Sequence, residues 1–78
     1  KEKRMNYLQH KKWELRNLEI IISDMNRDIE QANEQLSKAI IDNDLKMVKY
    51  WGARCHKLEK ELPLFKWQKD SLKEELEQ

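Results

Sequence analysis

One glycine, one proline and one cysteine are all that this chain of 78 residues contains of each. So few chain-reversing residues exclude a sandwich or barrel of short strands, which needs a turn roughly every 8 to 12 residues. A phosphate-cradling loop is excluded with them, because such loops use several glycines to bring backbone amides up to the anion. The lone Cys55 cannot form an internal disulfide, which fits a reducing compartment. It builds no zinc site either, since its neighbour His56 points about 100° away on a helix. His10 is distant in sequence, and no third orienting group stands ready to make a nucleophile and base of a cysteine and a histidine. The longest apolar runs are three residues, as in Ile20-Ile21-Ile22, against the roughly 20 that a membrane span needs. Lys1-Glu2-Lys3-Arg4 does not open a signal peptide. With a net charge of +1, bulk electrostatic capture of nucleic acid is not built into the composition.

What the chain has in abundance is charge and periodicity. Charged residues make up 40% and hydrophobic residues 38%, the profile of a coiled coil or long helix. Leu8, Leu15, Ile22, Ile29 and Leu36 recur at heptad position a, with Leu18, Met25, Ala32 and Ala39 at d. A second stripe follows in Val48, Trp51, Cys55, Leu58, Leu62, Phe65, Leu72 and Leu76, interrupted by Lys69. The first stripe, carried onward, would place Asn43, Lys46 and Tyr50 at the seam, so the two are out of phase by five residues. Asp42-Asn43-Asp44 stands at the slip, poor in helix propensity and good at turns and caps.

The expected fold is therefore all-α, an antiparallel helical hairpin. Helix one covers about 4–41, the chain bends at Asp42, Asn43 and Asp44, and helix two covers about 44–77 with Asp42 or Asp44 as its N-cap. The alternative is one continuous helix about 117 Å long in an antiparallel dimeric coiled coil. Residues 1–78 form a single segment, and a start at Lys1 reads as a piece cut from a larger protein.

Charge is blocked in a way that favours folding back. Residues 1–16 carry six Lys/Arg against two acids, residues 17–45 two against seven, residues 46–60 five against one, and residues 61–78 three against five. A bend near residue 43 lays acidic 17–45 beside basic 46–60, whereas an in-register parallel dimer would set every block beside its own copy. The expectation is that the basic stretch is largely neutralised inside the hairpin. Each exposed pair is worth a few tenths of a kcal/mol, so the blocks select orientation more than they stabilise.

Folding back near residue 43 sets position i roughly opposite position 85 minus i. Trp51 then falls near Ala32, Gln35 and Leu36, where the small alanine leaves room for an indole, and Cys55 falls near Ile29 as apolar filler. Gly52 costs a mid-helix position about 1 kcal/mol relative to alanine, which suggests close approach by another group. Pro63 is expected to kink helix two or to break it, leaving a short third helix from Pro63 to Glu77.

Five large apolar residues fall outside both stripes. Trp13 and Ile20 sit at f, Ile21 at g, Leu64 at c and Trp67 at f, and the fold-back gathers them near the open end. An outward apolar patch marks an interface. The expected function is a non-enzymatic protein interaction or oligomerisation module, a scaffold that pairs with a copy of itself in a four-helix bundle or docks a helical partner. No cofactor or metal is expected, and the localisation expected is intracellular, cytoplasmic or nuclear. The alternative is a nucleic-acid-associated helical module, in which Lys46, Lys49, Arg54, Lys57 and Lys60, interleaved with Tyr50 and Trp51, meet phosphates without reading bases.

Overall fold

The computed structural model of the chain describes residues 2–77, with side chains from Asn6 to Glu77. The first five side chains, which include part of the N-terminal basic block, lie outside the described residues. Helix α1 spans Glu2–Ile41 and helix α2 spans Leu45–Glu77. They pack antiparallel along their length, joined near the open end by a Tyr7 to Glu75 hydrogen bond and nearer the bend by one from Cys55 to Asn33. The hairpin measures 62 × 15 × 14 Å, half the length of the continuous helix that the sequence also allowed. The chain turns, and the alternative falls.

The bend is a capped reversal that uses all three residues at the phase slip. Asn43 takes a left-handed conformation with φ of 59°, which asparagine tolerates better than most residues because its short side chain bonds locally. Its amide donates to the Ile40 carbonyl at 3.2 Å and that of Asp44 to the Ala39 carbonyl at 2.9 Å. These two bonds form a Schellman motif, which satisfies carbonyls that the end of α1 would otherwise leave unpaired. Asp44 then begins α2. Its carbonyl accepts from the Val48 amide at 2.9 Å, and its Oδ1 accepts from the Met47 amide at 3.3 Å. Of the two aspartates that could cap helix two, Asp44 is the one that does, while Asp42 closes the last turn of α1 on the Lys38 carbonyl at 2.9 Å.

The seam follows both stripes. Ile22, Met25, Ala32, Ala39, Cys55 and Leu72 are buried, and Leu15, Leu18, Ile29, Leu36, Val48, Trp51, Leu58, Leu62, Phe65 and Leu76 are half-buried. Leu8 is the seam position that departs, being exposed. It lies level with the last turn of α2, so little of the second helix extends past it to cover it. Trp51 shares its groove with Gln35, one of the residues expected beside it, and with Lys38 and Ala39. Cys55 also meets Asn33, a partner the sequence did not suggest, its thiol donating to Oδ1 at 3.3 Å. Asn33 flanks the seam at an e position and reaches over the sulfur, one helical turn nearer the bend than simple opposition places it.

Of the two punctuation residues, Pro63 does not break helix two, the second of its two expected effects, and Gly52 departs from expectation. Helix α2 runs through Pro63 without a break, so there is no third helix. Pro63 is exposed, and its ring faces away from the seam, which lets the packed side of α2 hold the helix together across the missing bond. Gly52 is not a point of close approach, because a Cβ built there meets nothing within 4 Å. Gly52→Ala should therefore raise stability by about 0.5 to 1 kcal/mol through the lost flexibility of the unfolded chain. Chemical denaturation at fixed protein concentration reads this directly, and a destabilised variant would show that something outside the hairpin or a rearranged α2 occupies the space.

Candidate interaction surface

Antiparallel pairing gives the hairpin two flanks, one lined by the g positions of both helices and the other by their e positions. Tyr7 and Glu75, both at g, mark the first flank, and the Tyr7 hydroxyl donates to Glu75 Oε1 at 2.7 Å. Lys11 Nζ lies 4.0 Å from the same carboxylate and 5.4 Å from the Tyr7 ring centroid. The Glu75 hydrogen bond, burial and the Glu75 charge raise the tyrosine's pKa above its usual 10.0, with Lys11 opposing. A raised value favours the protonated phenol in the folded chain. The bond therefore supports the fold below the pH at which Tyr7 ionises in the unfolded chain, and its support is lost as pH climbs through the folded value. Ultraviolet titration of a Tyr50→Phe variant should show Tyr7 ionising above pH 10.0, and Glu75→Gln should bring it back toward the ordinary value. An unchanged titration in Glu75→Gln would remove the hydrogen bond as the cause.

The same flank carries an open apolar groove. Trp13 and Ile21, two turns apart on α1, line it with Leu18 at the seam and Asn17 between them, and Gln68 closes it from α2. Trp13 is 62% exposed and Ile21 39%. Leu64 is also exposed and stands one turn from Gln68, on the same side of α2. Ile20 and Trp67 are exposed as expected, but neither lines the groove, whereas Trp13, at f like both of them, does. Three of the five outward residues thus share this flank, and two occupy the backs of the helices. At the same level the e flank presents Lys12, Glu19, Lys66 and Lys73, all exposed. The hairpin is mostly apolar on one side there, with the Glu14 carboxylate at the groove, and charged on the other.

A second exposed apolar group surrounds the bend and was not picked out from the sequence. Ile40 and Ile41 end α1, and Leu45 and Met47 begin α2, with Ile41 at 81% and Leu45 at 75% the most exposed. Tyr50 lies a turn further on, its ring edge-on to Trp51 at 4.9 Å. The signal was available, since Ile40 and Leu45 occupy e and Ile41 occupies f, outside the a/d stripes.

Charge is adjacent without being paired. Acidic 17–45 does lie along basic 46–60, yet among the described residues no ion pair joins them. Among the described residues Lys11 to Glu75 at 4.0 Å is the ion pair that links the two helices, and Glu14 is held by His10 at 2.9 Å and Lys11 at 3.8 Å within α1. Lys46, Lys49, Arg54, Lys57 and Lys60 are exposed and not neutralised by such contacts, contrary to expectation. Most of them occupy outward b, c and f positions, and a solvated ion gains too little from a pair to bend its side chain back across the seam.

Among the described residues no group of three or more His, Cys, Asp and Glu side chains could hold a metal ion, and no helix is long and apolar enough to cross a membrane. No family model, curated protein or solved structure matches this chain.

Proposed function

We propose that this hairpin is a non-enzymatic interaction module that associates with a second copy of itself, two hairpins making a four-helix bundle. The observation that carries this reading is the open groove in which Trp13 and Ile21 stand exposed beside Leu18. An exposed tryptophan and isoleucine on one flank, with charged residues on the other, match the aromatic and apolar anchors enriched at interfaces. The thinness of the core points the same way. Apart from Ala32 the buried residues keep 5 to 8% of their surface in solvent, and a single core of this size seldom supplies more than about 3 to 5 kcal/mol. Docking of a helical segment from another protein would use the same groove.

Sedimentation equilibrium should find a dimer at micromolar concentration. Trp13→Glu combined with Ile21→Glu should raise the dimer Kd at least about tenfold with helix content kept, since both side chains lie outside the hairpin's seam. A wild-type chain that stays monomeric and fully helical at those concentrations would sink the proposal.

The unpaired lysines and arginine support a second reading, contact with the phosphates of a nucleic acid through the outer side of α2. Lys57 and Arg54 line a shallow groove with Tyr50 and Ala53, which sets an aromatic ring among cations as single-strand binders do. Fluorescence anisotropy with a labelled oligonucleotide at low salt decides it, and no binding there would end it.

A further inference from the structure

Resting on the self-association just proposed, the geometry points to one orientation of the second copy. The two hairpins stack g flank on g flank with both bends at the same end, so that α1 of each lies antiparallel on α2 of the other. Two flat hairpins meeting face to face by a two-fold axis have only one other choice, bends at opposite ends, with α1 on α1 and α2 on α2. Which residues stand level differs between the two, and the sequence is asymmetric enough to choose.

With the bends together, a residue of α1 meets the residue of the second copy's α2 that stands level with it in its own hairpin. Ile21 then faces Leu64, both exposed, and Asn17 faces Gln68, amide to amide, at the two edges of the groove. Asp28 faces Lys57, with Arg54 one turn away. His10 faces Glu75. One like pair, Asp24 with Glu61, is the exception, and the cations at 57 and 54 lie about one and two turns from it. On the larger scale the acidic stretch of α1 covers the basic stretch of α2, the same match that orients the fold itself, now made with charges that the single hairpin leaves unpaired.

With the bends apart and the helices in full overlap, the pairings turn against the dimer. Trp13 lands level with Glu30, and Glu14 comes within a residue of Asp28. Apolar surface is set on a carboxylate, and like charges meet on the α1 pair. Sliding the copies until Trp13 meets Ile21 leaves about 13 Å at each bend without a partner.

The test is a distance between chains. Ser37 is exposed, lies near the bend and belongs to neither the seam nor the g flank. A nitroxide on Ser37→Cys in a Cys55→Ala background, measured by pulsed dipolar spectroscopy in the dimer, should report about 20 to 25 Å between copies, the width of a four-helix bundle. Bends at opposite ends would give about 50 Å and overturn the orientation while leaving self-association standing. A monomer by sedimentation of the same sample would overturn both. If Cys55→Ala lowers helix content, mixing unlabelled-background chains offers the second measurement, an intermolecular disulfide between separate Ile21→Cys and Leu64→Cys chains. Cross-links between the two kinds of chain support the orientation, and Ile21→Cys chains linking only to one another overturn it.

Discussion

Replacing Pro63 by alanine is expected to raise the unfolding midpoint by about 15 °C, from a gain of about 3 kcal/mol. Pro63 stands near the middle of α2, which continues as one helix on both sides of it. It has no amide proton to give the Glu59 carbonyl, and its ring crowds that oxygen. Both penalties vanish in alanine, the best helix former. The residue is exposed, so no seam contact is lost in exchange. Differential scanning calorimetry at one fixed protein concentration gives the value, because a chain that associates has a midpoint that depends on concentration. A rise below about 4 °C would mean that a bend at Pro63 brings compensating contacts, which the straightened helix forfeits.

Ala32→Leu should act in the opposite direction, lowering the midpoint by about 10 °C through a loss of about 2 kcal/mol. Ala32 has no exposed surface at all. Three added carbons have no room there unless the helices part, and parting them uncovers Met25, Ala39 and Cys55 on the same seam. Ala32 stands roughly level with residue 53, so about 15 Å of helix separates it from Pro63. Substitutions that far apart add, and the double variant should unfold about 5 °C above the wild type. If instead Ala32→Leu is neutral, the seam is looser than its burial indicates and the hairpin's two helices are held mainly by their ends.

The stripes of a and d residues were legible because a coiled-coil seam is a linear pattern: each helix declares its buried face through spacing alone, and the bend declares itself where the spacing breaks. What stayed illegible depends on side-chain reach. Cys55 meets Asn33 because an e-position amide extends over the seam, a fact of length and rotamer that opposition in register does not contain. The cations of residues 46–60 stay unpaired beside an acidic helix because adjacency of charge blocks says nothing about whether solvated ends gain by meeting. Gly52 looked like a point of contact because a mid-helix glycine ordinarily needs a reason, and within the hairpin none is visible. The outward patch was partly readable. Exposure of Trp13, Ile20, Ile21, Leu64 and Trp67 followed from heptad position, but the division between Trp13 with Ile21 in the groove and Ile20 with Trp67 on the helix backs did not, since Trp13 and Ile20 share position f and only the groove that Gln68 closes from α2 tells them apart.

The bend also works as a phase lock. Only Asp42, Asn43 and Asp44 separate the helices, and each has its backbone committed, Asp42 and Asp44 through hydrogen bonds on either side and Asn43 through its left-handed conformation. No slack remains to absorb a change in length. One residue inserted there and taken into α2 would rotate that helix by about 100° about its axis, carrying Trp51 and Cys55 out of the seam and the basic residues toward it. The angular setting of one helix face against the other, and with it the direction in which the Trp13 groove looks, is thus written in the count of residues at the corner as much as in the residues that line the surface.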